Sequence, residues 1–340
     1  MKILVTGGLG YIGSHVAVLL LNKGYDVVLV DNLDNTRESV LDGIEAITKK
    51  RPRFENRDLR SAAAQKSLFE KHPDFDGIIH FAAHKAVGES VNKPLKYYEN
   101  NINSLVYLLQ NIETKNIPFI FSSSCTVYGE ADDVPIMETA AIKKAISPYG
   151  NTKQIGEDII RDLAIANEDF NAVLLRYFNP IGAHPTALIG ELPLGIPQNL
   201  IPFVTQTVAG KREVLNVFGD DYETPDGTCI RDYIHIMDLA DAHIKSLEFL
   251  LKGKNTTNCE VFNLGTGRGS SVLEVINTFK EATGKVVPYK IAPRRAGDVV
   301  SAFADTFKAE KVLEWKATFG LKEALKSAWD WQQYINQQGV

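Results

Sequence analysis

Short apolar runs alternate with amphipathic stretches along the first half of the chain. The apolar runs predict strands at Lys2–Thr6, Asp26–Val30, Gly77–Phe81, Pro118–Ser122 and Ala172–Tyr177. Runs that are apolar almost throughout are typical of parallel strands buried on both faces. The amphipathic stretches predict helices, the longest over Leu95–Glu113 and Pro148–Asn167. Strands that alternate with helices in this way predict an α/β fold with a doubly wound parallel sheet.

The character of the chain changes after residue 178. Residues 179–236 are rich in Pro, Gly and Asn, which is typical of a binding lobe built from loops. A helix is then predicted over His235–Leu251 and a strand over Glu260–Leu264, so we expect the chain to return to the sheet. We therefore predict a sheet domain over residues 1–178 with a return segment near 235–265, and a smaller C-terminal lobe over residues 179–234 and 266–340.

Composition narrows the classes of partner. A net charge of −5 without a basic tract gives no electrostatic reason to expect nucleic acid or a membrane surface. No apolar run approaches the ~20 residues of a membrane span, and Met1 leads directly into the first strand without a secretory signal. Cys125, Cys229 and Cys259 are widely spaced and form no C-x-x-C, so neither a disulfide framework nor a metal site is predicted. We expect a cytoplasmic protein.

A glycine-rich turn joins the first strand to the first predicted helix. Gly7, Gly10 and Gly13 give the spacing G-x-x-G-x-x-G, which permits a tight turn, close approach of a pyrophosphate and close helix–strand packing. The helix N-terminus adds amide donors and a favourable dipole. Asp31 follows the second strand, where a carboxylate binds the adenosine ribose and repels a 2′-phosphate. The arrangement predicts a Rossmann-type site for NAD rather than NADP.

Tyr149 and Lys153 lie four residues apart in a predicted helix, so both side chains point to the same side of it. A cation near a phenol favours the phenolate, and such a tyrosine can exchange a proton with a sugar or alcohol hydroxyl near neutral pH. Of the 12 tyrosines, only Tyr149 has a lysine at this spacing. Taken alone, the pair is more typical of a solvated helix surface, but the glycine turn favours the catalytic interpretation.

Hydroxyl side chains follow the predicted strand Pro118–Ser122. Ligands in open α/β sheets bind at the carboxyl ends of strands, so Ser124 is expected in the same crevice as the cofactor. There it can hydrogen-bond the hydroxyl that Tyr149 deprotonates. A serine turn that caps the next segment is the alternative, and the sequence leaves both open.

The glycine turn, Ser124 and the Tyr149–Lys153 pair together resemble the extended short-chain dehydrogenase/reductase superfamily. Longer segments, spread over essentially the whole chain, narrow the resemblance to the UDP-glucose 4-epimerase family: Gly7–His15, Asp31–Leu33, Phe81–Ser90, Tyr97–Asn101, Arg176–Asn179, Gly195–Leu200, Asp226–Thr228, Arg231–His235 and Arg295–Asp298. The resemblance implies an isomerase that inverts C4 of a UDP-hexose by transient hydride transfer to tightly bound NAD, through a 4-keto intermediate. Ala83 and His84 depart from the family's usual sequence at these positions without removing a needed group.

The resemblance also implies a role for each site residue. Its catalytic residues are Ser124, Tyr149 and Lys153, of which Lys153 also holds the nicotinamide ribose. Its NAD-binding residues are Gly7, Gly10, Tyr11, Ile12, Gly13, Asp31, Asn32, Leu33, Asp34, Asn35, Thr36, Asp58, Leu59, Phe81, Ala82, Ala83, His84, Lys85, Asn100, Ser124, Tyr149, Lys153 and Phe178. Its UDP-sugar-binding residues are Lys85, Ser124, Tyr149, Asn179, Asn199, Leu200, Asn216, Val217, Phe218, Arg231, Tyr233, Arg295, Asp298 and Ala302.

The implied assembly is a homodimer through the two long helices, with NAD on the sheet domain and the UDP-sugar on the smaller lobe. The residue types in the lobe suit this ligand. Arg231 and Arg295 can each form paired hydrogen bonds with a diphosphate, Phe218 can pack against uracil, and Asp298 can accept from a ribose hydroxyl. Taken singly, each arginine is more typical of a surface ion pair.

Ala302 occupies a position where family members strict for glucose and galactose resemble one another in carrying Tyr. Members with a small residue there tend to accept N-acetylated sugars as well, since the smaller side chain leaves space beside the sugar C2. We therefore expect interconversion of UDP-GlcNAc and UDP-GalNAc too. The alternative is that a neighbour such as Phe303 fills the space.

Two other functions compete with this interpretation. A nucleotide-sugar 4,6-dehydratase shares the fold and the Tyr–Lys pair but needs an Asp-Glu pair after the strand-end hydroxyl, where this chain has Cys125 and Thr126. A non-enzymatic NAD sensor or scaffold needs no intact Ser/Tyr/Lys set, which this chain has. The product formed from UDP-galactose distinguishes all three.

Overall fold

The computed structural model describes residues 1–295 and 297–339. Ala296, inside the segment Arg295–Asp298, lies outside the described residues. The chain divides into two compact units. Unit 1 comprises Met1–Gly129, Ala141–Tyr177 and Ala240–Phe262, and unit 2 comprises Glu130–Ala140, Phe178–Leu239 and the chain from Asn263 onwards.

Strands and helices alternate through most of the chain. The strands are β1 (Lys2–Thr6), β2 (Asp26–Asp31), β3 (Arg53–Asn56), β4 (Gly77–His80), β5 (Phe119–Ser122), β6 (Ala172–Tyr177), β7 (Asn179–Ile181), β8 (Leu215–Phe218), β9 (Ile230–His235), β10 (Cys259–Leu264), β11 (Gly269–Ser271), β12 (Tyr289–Ala292) and β13 (Ser301–Ala302). The helices are α1 (Tyr11–Asn22), α2 (Val40–Thr48), α3 (Ala62–Lys71), α4 (Val87–Asn92), α5 (Pro94–Gln110), α6 (Pro148–Ala166), α7 (Leu200–Val208), α8 (Ile236–Leu251), α9 (Val272–Thr283), α10 (Phe307–Val312) and α11 (Leu321–Gln337), with a 3-10 helix at Cys125–Tyr128. Among the described helices, none is both long and apolar enough to cross a membrane.

Unit 1 is built on a sheet with the strand order β10-β6-β5-β4-β1-β2-β3. Neighbouring strands from β3 through β6 pair in parallel, and the order reverses between β1 and β4. The nearly unbroken apolar runs of β4 and β5 are fully buried, as parallel strands covered on both faces require. Helices flank the sheet, and the predicted doubly wound α/β fold is confirmed.

The carboxyl ends of the parallel strands meet at one edge of this sheet. Thr6, at the end of β1, pairs in register with Val30 of β2 and with His80 of β4. Ser122 ends β5 at the same edge, because His80 pairs with Phe121 just before it. The turns that follow these strands carry the predicted cofactor and catalytic residues, and the reversal of strand order between β1 and β4 is where such sheets bind ligands.

Unit 2 holds two smaller sheets. One has the order β11-β9-β13, with β7 also paired to β9, and the other is the parallel pair of β8 and β12. Its core brings together residues from β8, β9, α9 and α11, among them Val217, Tyr233, Phe279, Leu325 and Trp329. The segment Glu130–Ala140 also belongs to this unit, where Ile136 bridges Ala304. No pattern in the sequence predicts that this segment belongs to unit 2.

Candidate active site

Backbone contacts explain why the turn between β1 and α1 consists of glycines. A Cβ atom at Gly7 would lie 2.8 Å from the Ala82 nitrogen, and one at Gly13 would lie 2.3 Å from the Gly7 oxygen. Gly7 also has a φ of 63°, a left-handed conformation that favours glycine. Gly10 precedes α1 in extended conformation. Because glycine has no side chain, none competes with a ligand for the first amides of the helix. The turn therefore fits the pyrophosphate of a dinucleotide.

Asp31 is held at the end of β2, next to the glycine turn. Its carboxylate accepts hydrogen bonds from the Leu9 amide at 3.2 Å and from the Leu33 amide at 3.0 Å. Burial raises the pKa of Asp31, and the hydrogen bonds from these amides oppose the rise. The carboxylate thus has a fixed position beside the turn, as its predicted contact with an adenosine ribose requires.

The other predicted NAD-binding residues mostly follow the ends of the same strands. Thr36 donates to the Leu9 carbonyl at 2.6 Å, which ties the segment after β2 to the glycine turn. The Lys85 ammonium lies 5.6 Å from the centre of the Tyr11 ring. Ile12, Asn32, Asp34, Asn35, Phe81, Ala82, Ala83, His84 and Asn100 complete this set in unit 1.

Three residues of the predicted NAD set have side chains that are paired with another residue or buried. The Asp58 carboxylate is bound by the Arg60 guanidinium at 2.6 Å, and these hydrogen bonds from Arg60 lower the pKa of Asp58. The side chain of Leu59 belongs to the unit 1 core, so only its backbone is available to a ligand. Phe178 is buried at the start of a segment of unit 2.

Tyr149 and Lys153 occupy the first turns of α6, and both are buried. Ser147 begins the helix by accepting a hydrogen bond from the Gly150 amide at 3.1 Å, and Pro148 takes its first position. Tyr149 is 7% exposed and Lys153 4% exposed, which excludes the solvated surface pair. The Lys153 ammonium donates to the Ser122 carbonyl at 2.5 Å and lies 6.0 Å from the centre of the Tyr149 ring.

Ser124 caps the segment after β5, one of the two roles that the sequence left open, and its hydroxyl also reaches Tyr149. Its hydroxyl oxygen accepts a hydrogen bond from the Thr126 amide at 3.2 Å and so caps the 3-10 helix that follows β5. It also hydrogen-bonds Tyr149. Because the Thr126 amide occupies an acceptor site of the hydroxyl, the Ser124 proton remains available to donate to the phenol oxygen.

Burial shifts the pKa values of Tyr149 and Lys153 in opposite directions. It raises the pKa of Tyr149, while the hydrogen bond with Ser124 lowers it. It lowers the pKa of Lys153 to about 7, and the charge of Glu157 opposes that change. The lysine-induced fall in the Tyr149 pKa that the sequence predicts therefore competes with a desolvation effect that only the fold reveals.

A buried ion pair behind Lys153 escaped the sequence analysis. The Arg176 guanidinium donates to both carboxylate oxygens of Glu157, at 2.9 and 2.6 Å, and Ser123 donates to the same carboxylate at 2.5 Å. Two signals in the sequence point to it. Glu157 continues the four-residue spacing of Tyr149 and Lys153, and Arg176 is a charge within an apolar strand, where a charge needs a partner.

Unit 2 brings together a second group of predicted residues around Asp298. Arg295 donates to both Asp298 oxygens, at 3.2 and 2.7 Å, and an Arg231 nitrogen lies 3.6 Å from the same carboxylate. The Arg295 guanidinium also lies 5.6 Å from the centre of the Phe218 ring, which is 38% exposed. Two arginines, a carboxylate and an exposed aromatic face thus lie together, a set suited to a nucleoside diphosphate.

The remaining UDP-sugar candidates of unit 2 lie on short strands and at a helix start. Asn199 precedes α7, which begins with Leu200, and its side chain makes no cap there but donates to Glu191 at 2.9 Å. Asn179 of β7 pairs in register with Tyr233 of β9. Within the described residues, the buried Asn216 side-chain oxygen has no hydrogen-bond partner. The Val217 side chain is fully buried, so only its backbone is available to a ligand.

Ala302 lies on β13 opposite Arg231 of β9. It is partly buried, as is the next residue, Phe303. The Phe303 carbonyl accepts from the Ile136 amide at 2.9 Å, and a Cβ atom at Gly269 would lie 3.1 Å from the Phe303 ring. The first contact ties down the Phe303 backbone, and the second places its ring next to Gly269 of β11.

Comparison with known proteins decides the family. The chain is 49% identical to the UDP-glucose 4-epimerase of Bacillus subtilis over 333 residues, which is 98% of this chain and 97% of that protein. The chain belongs to the UDP-glucose 4-epimerase family. A family model described as GDP-mannose 4,6 dehydratase also matches residues 4–328, so the resemblance to the extended short-chain dehydrogenase/reductase superfamily is confirmed together with the epimerase family.

Solved structures of this epimerase family agree with the fold. The UDP-glucose 4-epimerase of Stenotrophomonas maltophila, with bound NAD and formylated UDP-arabinopyranose, superposes with a TM-score of 0.95 at 45% identity, covering 99% of both chains. A UDP-Glc/GlcNAc 4-epimerase from Campylobacter jejuni superposes with a TM-score of 0.84 at 38% identity, covering 98% of this chain and 99% of that one.

Proposed function

We propose that the chain is an NAD-dependent epimerase that interconverts UDP-glucose and UDP-galactose by inverting C4 through a 4-keto intermediate. The observation that carries this proposal is the buried triad of Ser124, Tyr149 and Lys153 at the carboxyl edge of the unit 1 sheet. Nearly full-length identity to UDP-glucose 4-epimerases supports it. The cofactor is NAD, which when bound supplies a two-electron oxidant that is regenerated in each cycle.

Each residue of the triad has a chemical task in this proposal. Tyr149 as phenolate takes the proton of the sugar 4-hydroxyl and later returns it. Ser124, which hydrogen-bonds the phenol, shares the hydrogen bond to that hydroxyl. The Lys153 ammonium stabilises the phenolate against the effect of burial and holds the nicotinamide ribose hydroxyls. Removal of any one of the three is expected to lower turnover rather than abolish the fold.

The two units divide the binding of cofactor and substrate. Unit 1 holds NAD through the glycine turn, Asp31 and the segments after β3 and β4. Unit 2 holds the nucleotide through Arg231, Arg295, Asp298 and Phe218, with the arginines turning from Asp298 to the diphosphate. The Asp31 carboxylate favours NAD over NADP because it repels a 2′-phosphate.

N-acetylated UDP-sugars extend the proposed substrate range. Ala302 has one methyl group where a tyrosine ring would occupy space beside the sugar C2, and the ring of the next residue, Phe303, lies next to Gly269. We assign interconversion of UDP-GlcNAc and UDP-GalNAc to this chain on that ground.

The assembly we propose is a cytoplasmic homodimer through α5 and α6. These helices pack against each other, and apolar side chains on them, such as Ile102, Val106 and Ile155, are only half-buried within one chain. Such positions are typical of a helix surface that a second copy covers. Sedimentation of the purified protein tests this, and a monomer at micromolar concentration contradicts it.

A nucleotide-sugar 4,6-dehydratase is the second candidate, favoured by the description of the matching family model. Elimination of water needs an acid and a base after the strand-end hydroxyl, whereas Cys125 and Thr126 stand there. Incubation of the purified protein with UDP-galactose separates the possibilities. UDP-glucose is expected, a 4-keto-6-deoxy sugar would favour the dehydratase, and unchanged UDP-galactose would contradict both.

A further inference from the structure

Three ionisable side chains follow one another along one face of α6. Tyr149, Lys153 and Glu157 are spaced four residues apart, so they lie on successive turns of the helix. All three are buried, and Glu157 is only 1% exposed. The mechanism uses the first two. A buried carboxylate next in line has no task in the proton transfer and is costly unless it interacts with other charges.

The partners of Glu157 fix its carboxylate firmly. Arg176 of β6 donates to both of its oxygens and is itself only 2% exposed. Arg176 also donates to the Tyr128 hydroxyl at 3.0 Å and lies against that ring, 4.8 Å from its centre. Two parallel hydrogen bonds from a guanidinium hold a carboxylate in one geometry. Glu157 therefore has little freedom to turn away from Lys153.

Lys153 and Glu157 bind consecutive residues at the end of β5. The Lys153 ammonium donates to the Ser122 carbonyl at 2.5 Å, and the Ser123 hydroxyl donates to Glu157 at 2.5 Å. The next residue is Ser124, which hydrogen-bonds Tyr149. The two side chains of α6 thus hold the strand end from which the catalytic hydroxyl projects.

We propose that Glu157 is a positioning residue for the proton-transfer pair: its buried carboxylate, anchored by Arg176, keeps the Lys153 ammonium charged and fixes the strand end that carries Ser124. The inference rests on the proposed function, because it assigns Glu157 a task in that reaction. Glu157 itself touches neither substrate nor cofactor in this proposal.

The charge of Glu157 matters for Lys153 because the other groups nearby are neutral or already paired. From β4, His80 faces it as a neutral ring, because burial lowers the pKa of His80 to about 3. From β5 come the Phe121 ring, 4.8 Å from the ammonium, and the Ser122 carbonyl. On β6, Arg176 pairs with Glu157, and the Tyr177 hydroxyl hydrogen-bonds that of Ser122 at 2.5 Å. Cys125 lies near Tyr149. Burial lowers the pKa of Lys153 to about 7, and the charge of Glu157 opposes this decrease.

The test is the pH dependence of the Glu157→Gln holoenzyme. Glutamine keeps the shape and removes the charge, so Lys153 should lose its proton about one pH unit lower, and the Tyr149 phenolate then loses its counter-charge at that lower pH. The alkaline limb of the kcat/KM profile should move to lower pH, while the acid limb stays in place. Arg161→Gln is the matched control, because Arg161 binds the same carboxylate at 2.5 Å from a partly exposed position and its removal leaves the Glu157 charge in place. Solvent screens the charge of the partly exposed Arg161, so the control should keep the alkaline limb at or slightly above its wild-type pH and never move it lower.

A second readout does not depend on turnover. The near-ultraviolet difference spectrum between each holoenzyme and its Tyr149→Phe counterpart reports the Tyr149 phenolate alone, and in Glu157→Gln it should change at the lower pH at which Lys153 loses its proton. If activity is lower at every pH but the limbs of the kcat/KM profile and the spectral titration of Tyr149 are unchanged, the role of Glu157 is merely structural and the proposal is overturned. Absence of epimerase turnover in the wild type would overturn the proposed function, while the spectral titration would still decide the role of Glu157.

Arg176→Gln keeps the proposal testable if Glu157→Gln does not fold. This variant removes the counter-charge and leaves the carboxylate, so the field on Lys153 becomes more negative and the pH window should widen. A window that is unchanged or narrower in a folded Arg176→Gln protein would overturn the proposal. Glu157→Asp, which keeps the charge, should restore much of the wild-type window.

Discussion

Ala302 of β13 pairs in register with Arg231 of β9, so the residue expected to limit the size of the sugar lies opposite one expected to bind the diphosphate. The buried Asp232 carboxylate strengthens this arrangement from the next position on β9. It accepts hydrogen bonds from the Ala304 amide at 3.2 Å and the Thr266 amide at 2.8 Å. The backbone near Ala302 is therefore fixed, and a larger side chain there is expected to occupy space beside the strand rather than displace it.

Ala302→Tyr is expected to narrow the substrate range. The phenol ring would occupy the space beside C2, and kcat/KM for UDP-GlcNAc should fall at least tenfold relative to that for UDP-galactose, the order expected for a changed pocket wall. Both pairs of sugars are assayed on the wild type, on Ala302→Tyr and on the small-residue control Ala302→Ser. A wild type that ignores the N-acetyl pair, or an unchanged ratio in Ala302→Tyr, would contradict the proposed gate.

Tyr149→Phe is expected to remove the proton-transfer group while preserving the fold. Loss of such a group costs about 10²–10⁴-fold in turnover. The ring still fills the buried site, so circular dichroism and NAD content should match the wild type. Tyr97→Phe is the matched control, a buried tyrosine of α5 whose hydroxyl donates to Glu89 at 3.0 Å. Near wild-type turnover in a folded, NAD-loaded Tyr149→Phe protein would rule out this role.

Local spacing explains which parts of the site were accessible from the sequence. Tyr149 and Lys153 are four residues apart in one helix, and Gly7 to Gly13 form a single turn, so their geometry depends on near neighbours. The Glu157–Arg176 pair joins a helix to a strand 19 residues later, and its existence depends on sheet packing. The rise in the Tyr149 pKa has the same origin, since burial is a property of the whole fold.

The pairing of strands that are distant in sequence could not be predicted in the second half of the chain either. β8 pairs with β12, where Leu215 faces Tyr289, and nothing in either short strand identifies the other. Glu130–Ala140 joins unit 2 through a single bridge and a few hydrogen bonds, too weak a pattern to read from the sequence. The doubly wound sheet was predictable because most of its strands are separate, nearly unbroken apolar runs. The edge strand β3 (Arg53–Asn56) is charged and was not predicted.

Asp31→Ala is expected to relax the preference for NAD over NADP. The wild-type protein should release NAD(H) on acid or heat treatment, identified by chromatography. The variant loses the carboxylate that repels a 2′-phosphate and leaves the Leu9 and Leu33 amides without their acceptor, at a cost of about 1–3 kcal/mol in stability. Asp26→Ala, at the opposite end of β2, serves as the control. Bound NADP(H) in the wild type, or an unchanged preference in Asp31→Ala, would contradict the repulsion argument.

The buried His80 is expected to make the protein less stable in mild acid. Its Nδ1 lies 2.8 Å from the Thr6 hydroxyl, its ring stacks between Phe119 and Phe121, and burial lowers its pKa from 6.5 to about 3. Between these values the unfolded chain binds a proton that the native state does not, so the free energy of unfolding falls as pH falls from 6.5 towards 3. The loss should reach about 2 kcal/mol by pH 5, at ~1.4 kcal/mol per pH unit.

Urea unfolding at pH 7 and pH 5 measures this loss, and His80→Asn isolates the contribution of one residue. The variant is less stable at pH 7 because it loses ring packing, but the part of the pH dependence that His80 causes should disappear. Phe119→Leu is the control, since it disturbs the same packing without changing a titrating group and should lower stability equally at both pH values. If His80→Asn and the wild type lose the same stability between pH 7 and pH 5, His80 is not the group that titrates, and the acid sensitivity arises elsewhere in the fold.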